Sequence, residues 1–292
     1  MTGLPASFEG SLSSVGAALA RAASQLSAAG IERSQAEARI LLEAASGRGR
    51  GQIIAFPEHM LTDAQRDAFD KLVARRCARE PIARILGRRE FWSLSFTVGP
   101  ATLDPRPDSE TLVAAVLDRI PDRNAALTIL DLGTGTGCLL LALLSELPRS
   151  RGVGVDLSTA ALSTASGNAE DLGLAERVDF RVADWARDIS ARFDIIVSNP
   201  PYIESAAIDD LAPEVSKYDP RGALDGGSDG LSAYRALLPE AMRLLAPGGL
   251  LALEIGAGQA EAVRALAAEA HFSSLATACD LAGIERCLLF RR

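Results

Sequence analysis

From about residue 111 onward the sequence predicts an α/β domain: a mostly parallel sheet with helices on its faces and an antiparallel pair at the carboxyl end. Three observations predict it. "LTILDL", "RGVGVD", "RVDFRVA", "FDIIVS" and "GGLLALEIG" are short apolar runs rich in Val, Ile and Leu, separated by helical stretches, as buried parallel strands with crossover helices are. The first run turns through Gly133, Gly135 and Gly137 into an apolar helix. The chain closes with "FSSLATACD", "LAGIE" and "RCLLFRR", which read as two antiparallel strands and their turn. Residues 1–80 are expected to form a separate all-α bundle for docking a partner, 81–110 a β-hairpin or linker, and 111–292 the α/β domain.

The helical elements follow in order. "SLSSVGAALARAASQLSAAG" sets Leu12, Val15, Leu19 and Leu26 at roughly helical spacing and stops at Gly30. "SQAEARILLEAASG" predicts a second helix with Ser34 as N-cap, Glu37 as its capping-box partner and Gly47 as terminator. A short turn of helix is expected near Gln52–Phe56. "TDAQRDAFDKLVARRCAREP" predicts another, opened by Thr62 and ended before Pro81. "ARILGRREFWSLSFTV" alternates apolar and polar residues on both sides of Gly87-Arg88, which predicts the hairpin.

Composition narrows the chemistry. The 292 residues are 48% hydrophobic and 23% charged, enough for a large core without disulfide staples. The net charge of −8 argues against tight, sequence-independent nucleic-acid binding. Cys77, Cys138, Cys279 and Cys287 lack paired metal-ligand spacing, and His59 and His271 lie near neither a cysteine nor a carboxylate cluster. No metal site is expected, and no Ser-His-Asp or Cys-His arrangement is evident. The amino terminus lacks a basic segment and a long apolar run, so a cytoplasmic protein without a membrane span is expected.

The chemistry-bearing residues stand at successive strand ends. In "ILDLGTGTGCLLLALL" the loop Gly133-Thr134-Gly135-Thr136-Gly137 lets the backbone turn tightly and approach a ligand. A dinucleotide fold would place its third glycine at 138, which here is Cys138. The Asp131-Leu132-Gly133-x-Gly-x-Gly form instead resembles the loop of S-adenosylmethionine (SAM) methyltransferases. Asp156, at the end of the second strand, can accept ribose hydroxyls or cap the next helix, a role open to Ser158 as well. Asp184 and Trp185 follow the third strand, placed for an adenine amino group and a purine face; a half-buried core Trp is the plainer reading.

The fourth strand runs straight into Asn199-Pro200-Pro201-Tyr202. Two prolines remove two backbone donors and fix two φ angles, so the chain leaves the sheet in a stiff corner. With strands ordered 3-2-1-4-5, this corner lies beside the glycine loop at the topological switch point. The Asn199 side-chain oxygen and the Pro200 carbonyl can each accept one N–H of a substrate –NH2. Tyr202 offers a flat face to a planar amide or base, and the prolines hold the geometry before reaction.

Asn-Pro-Pro-Tyr occurs in enzymes that methylate exocyclic amines of DNA bases and in those that methylate glutamine amides. "TLDPRPDSETLV", "ILDLGTGTGC", "IVSNPPYI" and "YDPRGALDGGSDGLSAYR", with the helical amino-terminal region and "EFWSLSF", together resemble the peptide chain release factor N5-glutamine methyltransferases over essentially the whole chain. The resemblance implies a Rossmann-like class I methyltransferase sheet, SAM as cofactor, and the glutamine of Gly-Gly-Gln in class I release factors as target. It implies cofactor contacts at Gly133–Gly137, Asp156, Trp185 and Asn199, to which the strand-end reading adds Asp184, and substrate contacts at Asn199, Pro200, Pro201 and Tyr202, with Asn199, Pro200 and Tyr202 expected to be catalytic. A monomer without stable DNA binding is expected. Asp104 stands where the family usually has an apolar residue and Ser109 where it usually has Thr; neither is expected to touch the chemistry. Arg106 and Glu110 are placed to pair and hold their loop, a structural role with a catalytic one as the alternative. The alternatives are an adenine-N6 or cytosine-N4 DNA methyltransferase, an NAD-dependent oxidoreductase, and a non-catalytic binding module.

Overall fold

A computed structural model describes residues 14–187 and 189–292. The chain divides after Leu86 into two compact units. Leu12, counted above in the first helical stripe, lies outside the described residues.

The first unit is helical: α1 (Val15–Ala28), α2 (Ser34–Ser46), α3 (Arg50–Ala55), α4 (Asp63–Cys77) and α5 (Ile82–Leu86). Ser14 caps α1 by accepting the Ala17 N–H, and Val15, Ala18, Ala22 and Leu26 bury one stripe of it. These pack with Leu41 and Leu42 of α2 and Phe69 and Val73 of α4 in one core. Thr62 and Gln65 form a capping box at α4, each accepting the other's backbone N–H. The capping box expected at Ser34 does not form. Arg33 is the N-cap of α2, without a side-chain cap, and Ser34 is already helical. Glu37 is turned away by a stronger partner: the buried Arg76 of α4 donates to its carboxylate at 2.6 Å. Gly47 ends α2 in the left-handed conformation, as expected.

The second unit opens with a hairpin, β1 (Arg88–Phe91) and β2 (Leu94–Thr97). Its turn is Trp92-Ser93, both at positive φ (52° and 58°), and not Gly87-Arg88; the residues before Gly87 are helical. Buried Phe91 and Phe96 meet edge to face beneath it and supply the apolar footing. Beyond it come α6 (Glu110–Leu117), β3 (Thr128–Leu132), α7 (Cys138–Glu146), β4 (Arg151–Asp156), α8 (Thr159–Asp171), β5 (Val178–Val182) and β6 (Phe193–Ser198). The chain continues through α9 (Pro213–Ser216), α10 (Ser232–Leu244), β7 (Leu245–Glu254), α11 (Ala260–Glu269), β8 (Ser273–Cys279) and β9 (Glu285–Arg291).

Seven strands form one sheet in the order β5-β4-β3-β6-β7-β9-β8. Strands β3 to β7 run parallel to one another, and β9 pairs antiparallel with both β7 and β8. This is the expected mostly parallel sheet with an antiparallel pair at its carboxyl end. One face is covered by α6 and α7, whose Leu139–Leu144 are buried on every side. The other is covered by α10 and α11 through residues such as Tyr234, Leu237 and Val263.

The register decides where ligands can bind. Leu132 of β3 lies opposite Ser198 of β6, so the glycine loop and the Asn199 corner leave the sheet side by side. The buried Ser198 hydroxyl donates to the Leu132 carbonyl at 2.7 Å and locks the two strand ends together.

Candidate active site

A cavity of about 430 Å³ lies at the carboxyl ends of β3, β4 and β6. Its floor is the glycine loop. Gly133 and Gly135 adopt φ of 74° and 55°, and a Cβ on either would meet nothing within 4 Å, so open space faces the backbone there. The Gly133 and Thr134 N–H groups donate to the Val155 carbonyl. The buried Thr134 hydroxyl donates to Asp131 at 2.7 Å, fixing the loop from below. Burial pushes the Asp131 carboxyl up to about 7, against that hydrogen bond. Gly137 does not line the cavity. Its φ of 80° starts α7, and a Cβ would press on Leu141 at 3.1 Å and on Ala165 of α8 at 3.3 Å, so its role is helix packing.

Asp156 stands on the cavity wall and holds the loop in shape. One carboxylate oxygen accepts the Gly135 N–H and the other the Ser158 N–H, each at 2.9 Å. Ser158 supplies the side-chain cap of α8. Trp185 both lines the cavity and packs on the core beneath. Asp184 does not line it; its half-exposed carboxylate pairs with Arg187 at 3.2 Å.

At the end of β6, Pro200 is buried and Pro201 lines the cavity. Asn199 lines it too, and also borders a second cavity of about 190 Å³ with Tyr202, Arg106 and the apolar side chains of Leu211, Val215 and Leu224. Asn199 thus sits where a nucleoside-sized cavity meets a small, apolar-walled one. Its Nδ2 donates to the Ser109 hydroxyl at 3.2 Å. The expectation that Ser109 stands clear of the site is therefore wrong. Ser109 is 2% exposed and touches the central side chain of the corner. The Tyr202 hydroxyl donates to Glu254 at 3.4 Å.

The expected pairing of Arg106 with Glu110 also fails. Arg106 reaches across to the buried carboxylate of Asp219 at 2.6 Å, joining the two loops, 103–106 and 220–223, that form the outer wall of the larger cavity. Glu110 accepts the Trp92 backbone N–H at 2.8 Å and braces the hairpin turn. Asp104 is buried on the cavity wall. Glu254, at the tip of β7, is 2% exposed. Burial pushes its carboxyl up to about 7, opposed by the Ser109 hydroxyl, the Arg286 charge and the Tyr202 hydroxyl.

Residues 17–87 match the PrmC N-terminal domain family and residues 123–285 a methyltransferase domain family. The release factor glutamine methyltransferase of Rhodospirillum rubrum is 46% identical over 290 residues, covering 99% of this chain and 89% of that one. The enzyme of the same name from Moorella thermoacetica is 45% identical over 94% of this chain and 97% of its own. The chain belongs to the release factor glutamine methyltransferase family. Among solved structures, the hMettl16 catalytic domain, determined with a MAT2A 3'UTR hairpin, superposes with a TM-score of 0.57 at 15% identity, covering 75% of this chain and 81% of that one. That likeness is one of fold.

In this release factor glutamine methyltransferase family member, the two residues that sequence reasoning passed over at the corner are Ser109 and Glu254. Glu254 did carry a signal: it is the one charged residue in "GGLLALEIG", an otherwise apolar strand. Ser109 had no local signal, because its partner lies 90 residues away.

Proposed function

We propose that this enzyme transfers a methyl group from SAM to the side-chain amide nitrogen of the glutamine in the Gly-Gly-Gln segment of class I release factors. The observation that carries the reading is the position of Asn199 at the junction of the two cavities. The larger cavity suits SAM. Gly133 and Gly135 leave room for close approach, the Asp156 oxygens retain lone pairs for ribose hydroxyls, and Trp185 presents ring surface to a purine. When bound, SAM would supply an electrophilic methyl group on a sulfonium, the C–S bond breaking to leave a neutral thioether as the N–C bond forms and the amide nitrogen giving up one N–H proton to solvent.

The chain's own residues supply binding, orientation and charge stabilisation. An amide nitrogen is planar and poorly nucleophilic because its lone pair is shared with the carbonyl. In this reading, Asn199 Oδ1 and the Pro200 carbonyl each accept one N–H of the glutamine and hold its nitrogen toward the methyl group. Both bonds strengthen as that nitrogen gains positive charge, so they favour the transition state over the ground state. The Tyr202 ring and the apolar walls of the smaller cavity exclude water from the amide. The prolines leave little to order at reaction.

The helical unit, 1–80, is assigned to docking the release factor; it exposes Ile54, Phe56 and Met60, apolar side chains that a partner would cover. Among the described residues no helix is long and apolar enough to cross a membrane, and no cluster of metal-ligating side chains is found. The enzyme is assigned to the cytoplasm, as a monomer that does not hold DNA stably.

The test is to incubate the protein with labelled SAM, unmodified release factor and DNA together and to locate the label. Label on the release factor is expected; label on DNA alone would overturn the reading. Binding adds a second check, since SAM should raise the melting temperature by mass action while NAD leaves it unchanged.

A further inference from the structure

We infer that Ser109 and Glu254 are positioning residues that set which way round the Asn199 amide stands, and so make it an acceptor toward the substrate. The inference deepens the proposed reaction and rests on it for its kinetic consequence.

An asparagine amide has a donor end and an acceptor end of nearly the same shape, and its surroundings decide which faces where. A serine hydroxyl has one proton and two lone pairs. Whichever group takes that proton obliges the hydroxyl to act as acceptor toward its other neighbour. Ser109 is all but sealed from solvent, accepts from Asn199 Nδ2, and adjoins the Glu254 carboxylate closely enough to favour its ionised form. Glu254 Oε2 is buried without a well-aligned donor, and Oε1 has only the long contact with the Tyr202 hydroxyl at 3.4 Å. The rotatable Ser109 hydroxyl is the neighbour able to meet that demand, and its proton is assigned to this orphaned carboxylate oxygen. With its proton committed, Ser109 Oγ can only accept from Asn199. It does so from Nδ2 at 3.2 Å, which turns Oδ1 the other way.

Glu254 is itself held. The Tyr234 hydroxyl bonds its backbone carbonyl at 2.8 Å. Nearby Arg286 provides positive charge and is pinned by Asp280 at 2.9 Å and Asp108 at 3.4 Å. One buried carboxylate thus touches both ends of the corner: Asn199 through Ser109, and Tyr202 directly.

The experiment compares Ser109→Ala, Ser109→Thr, Glu254→Gln and the Ala/Gln double variant. Each is measured for kcat and KM on release factor, for SAM affinity by calorimetry, and for the Asn199 side-chain NH2 signals by NMR. Ser109→Ala is expected to cut kcat on the order of ten- to a hundredfold with SAM affinity near that of the wild type. Glu254→Gln keeps the shape but offers an NH2 to Ser109, so it is expected to act in the same direction. In the Asn199 NH2 signals the double variant should match Ser109→Ala, because both changes break one path to Asn199; its activity can fall further through Tyr202, which Glu254 also touches. Ser109→Thr keeps the hydroxyl and should restore most activity. In the wild type one Asn199 NH2 proton should be protected from exchange, and that protection should vanish in Ser109→Ala. Unchanged Asn199 signals in Ser109→Ala, or a further change of those signals in the double variant, would overturn the inference. The NMR readout needs no turnover, so it decides the point even if the wild type fails to methylate release factor, an outcome that would sink the proposed reaction alone.

Discussion

At the end of β3 the cavity wall is main chain: Gly133 and Gly135 present bare backbone, and the loop is held by hydrogen bonds to Val155 and Asp156 just across the neighbouring strand. At the end of β6 it is side chain: Asn199 and Tyr202 are held by Ser109 and Glu254, which arrive from α6's approach and from the tip of β7. The difference matches the two tasks proposed for these ends. A wall of backbone and one carboxylate can hold a polar ligand in place without changing through the reaction. Groups that must answer charge developing on one nitrogen have to be aimed, and aiming needs supports from elsewhere in the fold. The two ends should therefore fail differently when damaged, one in binding and the other in turnover.

The largest effect is expected at the acceptor end. Asn199→Ala removes one preorganised acceptor and should lower kcat on the order of a hundredfold or more, with the fold intact by circular dichroism. SAM affinity should drop only modestly, since Asn199 also borders the larger cavity. The opposite split is expected at the other end. Asp156→Ala removes a carboxylate that holds Gly135 and Ser158, and calorimetry should show SAM bound on the order of ten- to a hundredfold more weakly. At saturating SAM its kcat should stay within a few-fold of wild type. If Asp156→Ala lost turnover as heavily as Asn199→Ala, the division of labour would be wrong.

The same contrast explains what could be read in advance. The five parallel strands, the glycine loop and Asp156 were legible because each is a local pattern: apolar runs, a Gly spacing, a carboxylate at a strand end. The hairpin was placed correctly but its turn was not, because Trp92 and Ser93 take positive φ that sequence assigns first to Gly87. Glu37 read as a capping residue because its true partner, Arg76, is 39 residues away. Arg106 missed its partner Asp219 for the same reason, across 113 residues. Ser109 is not legible in sequence because a hydroxyl means nothing until the fold sets an amide from 90 residues away against it. What escaped the sequence is the long-range support of the acceptor end.

Smaller effects sharpen the comparison. Tyr202→Ala should raise KM for release factor by about tenfold, and Tyr202→Phe by less, because the flat face matters more than the hydroxyl. A KM rise as large for Phe as for Ala, in steady-state kinetics, would shift the role to the bond with Glu254.

The smallest effect concerns pH and stability. Burial raises the Glu254 carboxyl from 4.5 to about 7, so the folded protein binds this proton more tightly than the unfolded chain does. Its contribution to stability is fully present below about pH 4.5 and is lost as pH rises through 7, by at most about 3 kcal/mol. Urea unfolding from pH 5 to 8 should show Glu254→Gln gaining on the wild type as pH rises. An unchanged difference across that range would mean that Glu254 titrates as an ordinary carboxyl.

The central claim is that the corner at Asn199 is built to hold a side-chain –NH2, and one measurement addresses it directly. Wild-type enzyme is given SAM with release factor carrying either Gly-Gly-Gln or Gly-Gly-Glu, and the peptide spanning that segment is sequenced by mass spectrometry. A single methyl group on the glutamine side chain, and none on the glutamate version, is the predicted result. A methyl group at another position, or equal methylation of the glutamate version, would contradict it.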